Sequence, residues 1–272
     1  MEKNLNGLKY HLIDPTGNIT ALVETITPVS EQPEIAKRIL KEEKECEQVG
    51  FIGSSGVADI KLRMASGEFC GNAVMSTASF FCEHKGLPVG ETAGVTVECS
   101  GCDEPVLVNI TRRQDRGSHT YEGAVAMPKA ISVEETVLDF DNRRYKMPVV
   151  RFAGIDHIIS ITDVSGFEPA DDGEAETALK KWCGDLGSVC IGIMFAKNIG
   201  EDMNVRPLVY VPDVCTCFWE SSCASGATAI GTYYGTHSGK KQYSLKLHMP
   251  GGILAVSSSD DGGIVLRGNV YI

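Results

Sequence analysis

The sequence predicts an α+β protein made of two similar domains, and two observations carry that expectation. The chain has 272 residues and 43% hydrophobic content, enough for two medium domains or one large one with a sizeable core. One order of elements also recurs with little identity between the copies: strand, helix, strands, then a helix headed by a cysteine, then more strands.

The elements follow in order. Leu8–Ile13 alternates as a strand and ends at Asp14-Pro15-Thr16-Gly17-Asn18, a turn by its Pro, Gly and Asn content. Ile19–Val23 resumes as a strand. Glu31–Lys44 has helical spacing, with Ile35, Ile39 and Leu40 on one side. Residues 48–52 and 59–64 read as strands, and a helix from Cys70 to about His84 closes at Gly86. Thr92–Cys99 and Val106–Thr111 read as a strand pair. In the second half, Thr120–Met127 and Val149–Ile161 read as strands and Ala175–Trp182 as helix. The acidic stretch Glu168–Glu176 reads as a solvated loop. Val189–Phe195 and Leu208–Val211 are strands, and Cys223 opens a helix through Tyr234. Strands at 244–248, 253–257 and 264–266 follow. The expected domains are 1–118, joined by a C-terminal strand at 266–272, and 119–265, with the break near Arg116-Gly117-Ser118-His119 and the active site in a cleft between the domains.

A formal charge of −11 argues against nucleic acid and against an anionic membrane surface as partners. No apolar run approaches a membrane span, and Met1–Gly7 has no signal pattern, so a cytoplasmic location is expected. Ten cysteines is a high count. In a long chain without an export pattern most should be reduced. Cys46, Cys82, Cys183 and Cys190 sit in apolar or mixed segments and read as buried thiols. Cys99-Ser100-Gly101-Cys102 with Cys215-Thr216-Cys217 could form a four-thiol zinc site. Cys215 and Cys217 alternate along a strand-like run, however, and would share one sheet face without a tight chelate, which favours unligated thiols.

The chemistry points to Cys70 and Cys223. The first lies in Gly67-Glu68-Phe69-Cys70-Gly71-Asn72-Ala73, the second in Glu220-Ser221-Ser222-Cys223-Ala224-Ser225-Gly226-Ala227. Each is followed by small residues and then a helix. A helix start leaves backbone N–H groups outside the helical ladder and favours an anion, so a cysteine there should lose its proton more easily than usual. Two such thiols facing one substrate could take a proton from one side and give one on the other.

The two cysteine motifs, with Asp14-Pro15-Thr16-Gly17-Asn18 near the start, resemble the diaminopimelate epimerase family over nearly the whole chain. The resemblance implies two pseudo-symmetric domains, each a sheet wrapped around a central helix. It also implies a homodimer, and two cysteines acting as acid and base without pyridoxal phosphate or metal. It makes Cys70 and Cys223 the bases and gives the α-carboxylate to the backbone N–H groups of Gly71, Asn72, Ser225 and Gly226. Asn18 would line the site, and Glu220 would receive the α-ammonium, although it stands closer to the second cysteine than is usual.

The departures bear on substrate. Family members grip a second amino-acid head with asparagines and an arginine. Here Met64 replaces the asparagine before the first motif. Gly154-Ile155-Asp156-His157 and Gly192-Ile193-Met194-Phe195 stand for two further asparagine segments, and Glu220-Ser221-Ser222 lacks the arginine. A distal zwitterion would lose its charge-assisted partners. Within the family the chain is more similar to the histidine racemases that supply D-histidine for staphylopine-type metallophores. Glu47-Gln48 replaces the epimerases' Asp-Gln pair, and Glu47 would bind the imidazole or orient a substrate group. Ala224 stands where the family usually has glycine. His157, on an apolar strand, reads as a core histidine. A racemase or epimerase for another amino acid, and a zinc-binding protein without turnover, remain the alternatives.

Overall fold

The computed structural model describes residues 2–114, 119–162, 167–199, 201–212, 215–259 and 262–272. In chain order the first elements are β1 (Glu2–Leu5), β2 (Leu8–Pro15), β3 (Thr20–Val23), α1 (Gln32–Glu42), β4 (Gln48–Gly53), β5 (Ile60–Met64), α2 (Gly71–His84), β6 (Thr92–Cys99), β7 (Val106–Arg113) and β8 (Thr120–Met127). Then come β9 (Ser132–Phe140), β10 (Arg143–Phe152), β11 (Ile155–Ile161), α3 (Asp172–Leu186), β12 (Ile191–Ile199), β13 (Asp202–Val211) and β14 (Thr216–Trp219). The last are α4 (Ala224–Ser238), β15 (Ser244–Met249), β16 (Gly252–Ser258) and β17 (Ile264–Tyr271). The chain divides into two compact units, Met1–Met127 with Val265–Ile272, and Pro128–Ile264.

In the first unit β2 and β3 are antiparallel, β3 and β4 parallel, β4 and β5 antiparallel, β5 and β6 parallel, and β6 and β7 antiparallel. Parallel neighbours need a crossover, and α1 and α2 supply the two. Helix α1 buries Ile35, Ala36 and Ile39 against Tyr10, Ala21, Val23, Val49 and Phe51. Helix α2 buries every residue from Gly71 to Phe80, and Cys82, and touches β2, β3, β5, β6, β7 and β8. A helix apolar or small on all faces belongs inside, and here strands surround it.

The second unit repeats that order of connections. Strands β10 and β11 are antiparallel, β11 and β12 parallel across α3, β12 and β13 antiparallel, β13 and β15 parallel, and β15 and β16 antiparallel. The segment between β13 and β15 holds β14 as well as α4. Helix α3 packs Ala175, Ala178, Leu179 and Trp182 on Ile191, Ile193 and Leu208, and Trp182 Nε1 donates to the Asp139 carbonyl at 3.1 Å. Each fully buried Ile or Leu there contributes about 1.5–3 kcal/mol relative to exposure.

Three expectations differ from what is observed. Thr120–Met127, expected to open the second domain at 119, pairs with β7 along Arg113↔Thr120 to Val108↔Val125 and belongs to the first unit. The observed division therefore falls after Met127, and the expected break at 116–118 lies outside the described residues. The acidic stretch is not all loop. Asp171 caps α3 by accepting from the Glu174 N–H at 2.8 Å, while Glu174 reaches back to the Ala170 N–H at 2.5 Å. Carboxylates at a helix start favour it through capping and the dipole. The hairpin β9–β10 was not expected as two strands. Its turn is Asp141-Asn142, both at positive φ, the residue types that a two-residue hairpin turn selects.

Candidate active site

In the first unit Cys70 is the N-cap of α2, with extended backbone at φ −135° and ψ 111°, and its sulfur accepts from the Ala73 N–H at 3.5 Å. The Cys99–Cys102 turn braces the segment ahead of it. Ser100 Oγ donates to the Glu68 carbonyl at 2.8 Å and accepts from the Met64 N–H at 2.9 Å. Gly101 lies so close that a Cβ there would sit 2.4 Å from the Phe69 nitrogen. The Cys102 partner, with burial, pushes the Cys99 thiol up, while Cys102 is pulled down by the same hydrogen bond.

On its other side Cys70 meets a polar chain. Its Sγ–H donates to Gln48 Oε1 at 2.9 Å. Gln48 Nε2 donates to Asn18 Oδ1 and, at 2.8 Å, to Thr20 Oγ1. Asn18 Nδ2 in turn donates to Glu47 Oε2. The fold explains the meeting: β3 and β4 run parallel with Thr20 beside Gln48. Asn18 closes the turn after β2, where Asp14 Oδ1 accepts from the Gly17 N–H at 2.5 Å and Thr16 Oγ1 donates to the Asn269 carbonyl at 3.0 Å. Asn18, Glu47, Gly71 and Asn72 thus gather around Cys70. Sequence reasoning missed Gln48 as a site residue. Its signal was a polar residue opening the otherwise apolar run Gln48–Ile52.

In the second unit Cys223 caps α4 with nearly the same backbone, φ −131° and ψ 107°. It is buried, with its N–H directed at Met249 Sδ (3.4 Å) and its sulfur 3.6 Å from Ser225 Oγ. Burial first, then the Glu220 charge, pushes its thiol well above the ordinary range, while the Ser225 hydroxyl and the Gly226 N–H pull the other way. Glu220, Ala224, Ser225 and Gly226 are therefore brought to Cys223, and Glu220 is hydrogen-bonded to the thiol itself. Ser225 Oγ is also 2.9 Å from Nε2 of His157, which is fully buried. Burial lowers that imidazole to about 3, so it is neutral. The core reading of His157 holds, with a contact that reaches the cysteine turn.

Of the substituted segments, β12 presents Met194 rather than Ile193 to α4. Ile193 belongs to the α3-side core, whereas a Cβ on Gly226 would lie 2.1 Å from Met194 Sδ. Alternation along the strand decides which neighbour faces which helix. Met64 and Met194 are both buried.

Cys46, Cys82, Cys183 and Cys190 are buried, as expected. Cys215 is not on a strand with Cys217: it is exposed in a turn at φ +52°, ahead of β14. Among the described residues, no group of three or more His, Cys, Asp or Glu is placed to hold a metal ion. No described helix is long and apolar enough to cross a membrane.

Known proteins resemble this chain over nearly its full length. The family profile described as "Histidine racemase CntK N-terminal domain" matches residues 7–272. A histidine racemase of Fusobacterium nucleatum is 32% identical over all of both chains. One of Staphylococcus aureus is 29% identical over 94% of this chain and 90% of its own. Among solved structures, a probable proline racemase from Agrobacterium radiobacter superposes with a TM-score of 0.70 at 13% identity, covering 97% of this chain and 89% of that one. A phenazine biosynthesis protein of the PhzF family from Bacillus anthracis gives 0.63 at 16% identity, over 97% and 96%. These two likenesses establish a shared fold.

Proposed function

The chain belongs to the histidine racemase family, and from that premise we propose that it interconverts L- and D-histidine by a two-base mechanism with Cys70 and Cys223. The observation that carries the reading is the repeated helix start: a cysteine N-cap with nearly the same backbone angles in each unit. One thiolate takes the α-proton while the other thiol delivers a proton to the opposite face. The developing negative charge moves onto the substrate carboxylate. The N–H groups of Gly71, Asn72, Ser225 and Gly226 would stabilise it as an oxyanion hole does.

Asn18 lines the substrate site. Glu47 takes the imidazole N–H, and Glu220 takes the α-ammonium beside Cys223. Ala224 gives the second helix start an apolar wall. Histidine suits these surroundings because its side chain needs one or two hydrogen-bond partners and no distal charge clamp. Buried Met64, standing where the family places an asparagine, supports that preference. The repeated order of crossovers supports the finer fold reading, two pseudo-symmetric domains of the diaminopimelate epimerase type. Provision of D-histidine for a metallophore belongs to the same proposal.

The test is a panel of L-amino acids in D2O, followed by proton NMR for loss of the Cα signal and by chiral chromatography for the D-enantiomer. Exchange and racemisation confined to histidine are expected. Equal turnover of another amino acid would overturn the substrate, and no exchange with any would overturn the racemase.

A further inference from the structure

We propose that Gln48 is a positioning residue that keeps the proton on Cys70 in the ligand-free protein, its amide locked in that orientation by Asn18 and Glu47. The proposal deepens the racemase reading and rests on it for the role of Cys70 in turnover. The argument is one of hydrogen-bond polarity. A carbonyl oxygen only accepts, so with Gln48 Oε1 at 2.9 Å the sulfur must donate, which only the thiol can do. The amide cannot turn its nitrogen to the sulfur instead without giving up two acceptors, Asn18 Oδ1 and Thr20 Oγ1. The Thr20 hydroxyl already spends its hydrogen on the Asn18 carbonyl at 3.1 Å. The Asn18 amide is oriented by Glu47, whose Oε2 accepts from Nδ2 and so turns Oδ1 toward Gln48. The Glu47 carboxylate, through the Asn18 amide, and the Thr20 hydroxyl together set the direction of the hydrogen bond that reaches the sulfur.

This chain opposes the start of α2, where the Ala73 N–H and the helix dipole favour a thiolate. Ionisable groups near Cys70 among the described residues of this unit include Glu47 at the far end of the chain, Glu68 two residues before it, Arg63, whose guanidinium lies against Gly67 and acts on Glu68, and the Cys99 thiol, which feels the Cys70 charge and is hydrogen-bonded to Cys102. Cys70 holding its hydrogen serves as the acid of the pair in one direction of turnover, and it serves as the base for the other enantiomer only after giving that hydrogen up.

The test is the pH dependence of iodoacetamide labelling at Cys70, followed by mass spectrometry of its tryptic peptide without substrate. Gln48→Met removes the acceptor, so the helix start is no longer opposed by it. Labelling at pH 7.5 is expected to rise about fivefold, the worth of one hydrogen bond, with its midpoint moving to lower pH. Glu47→Gln, which lets the amides reverse, should shift the midpoint the same way. Unchanged or slower labelling in Gln48→Met would overturn the proposal. An unchanged midpoint in Glu47→Gln alone would overturn the lock. Buried Cys82 of the same unit is the internal control for unfolding. If it labels in Gln48→Met, the shorter amide of Gln48→Asn carries the same test and the same expected rise. Because labelling requires no turnover, absence of racemisation would strike the proposed function and leave this result standing.

Discussion

The two cysteine turns share a backbone and differ in everything around it. Cys70 is half-buried and looks onto a chain of polar side chains that runs to a carboxylate. Cys223 is buried, with Glu220 directly on its thiol, a methionine sulfur behind its N–H, and a neutral histidine beyond Ser225. The shared part is what two similar helix starts supply. The unshared part is what can make the two thiols unequal, and a two-base racemase needs one thiolate and one thiol when it acts on its substrate. Glu47 influences Cys70 through two amides, whereas Glu220 acts on Cys223 at first hand. One turn is tuned by direction of hydrogen bonding, the other by burial and charge.

The largest expected effect breaks the comparison from both sides. Cys70→Ala and Cys223→Ala should each lower D-histidine formation by about 10²–10⁴-fold, because either one removes a proton-transfer group. If one variant kept full racemisation, a two-base reading would fail, and the surviving cysteine would be acting alone. Solvent deuterium exchange measured from each enantiomer should show the two variants failing differently, each on the step its own thiol serves.

Gly226→Ala is the next. Its Cβ would meet Met194 Sδ at 2.1 Å, so the Met194 side chain, the strand or the turn must shift. A loss of about 1–3 kcal/mol is expected from urea unfolding, as for overpacking generally. A neutral outcome would mean that Met194 moves aside and that the floor of the second turn is soft.

The third sharpens the electrostatic contrast. A thiol raised in the folded state stays protonated there while the unfolded chain ionises, so stability falls as pH climbs above the ordinary cysteine range. Cys223 should contribute up to about 1.4 kcal/mol per pH unit to that fall. Urea midpoints between pH 7 and 10 should decline less steeply in Cys223→Ala than in the unaltered chain. An identical slope would place the ionising group elsewhere, with buried Cys46 and Cys82, both pushed up to about 11, the first to examine.

The smallest concerns His157. Held neutral with a value of about 3, it binds no proton where the unfolded chain does, so it costs stability as pH falls below the ordinary histidine value of 6.5. His157→Gln keeps a nitrogen for Ser225 and should flatten that acid limb, with racemase activity changed about threefold at most, the worth of a fraction of a hydrogen bond. A large loss of activity near neutral pH would give the histidine a part in the chemistry.

What could be read from sequence was what short segments decide alone. Cys70 with its small-residue followers, the α1 face of Ile35 and Ile39, and the turn at Asp14–Asn18 each carry a local signature. What escaped depends on partners distant in the chain. Gln48 gains its importance because β3 lies parallel to β4, a neighbour relation that no local pattern reveals. Ile193 and Met194 are both apolar, and only the alternation of β12 between α3 and α4 separates core from cysteine turn. The strand Thr120–Met127 was visible as a strand, but its membership of the first unit rests on pairing with β7. The Asp171 cap was hidden by composition, since acidic residues serve a solvated loop and a helix start equally well.

The return of β17 to the first unit has a consequence for the order in which the molecule is made. The second unit is continuous in sequence, so a ribosome delivers all of it in one stretch. The first must leave a place beside β2 and β8 until β17 has been synthesised. That late strand pairs at Asp14 and Pro15, and its Asn269 carbonyl receives the Thr16 hydroxyl in the turn that carries Asn18. The side chain that aims Gln48 at Cys70 is thus anchored by residues translated after both helices and both cysteines. A nascent chain arrested before Val265 would hold every group of the proton-transfer chemistry and still lack the strand that fixes one of them in place.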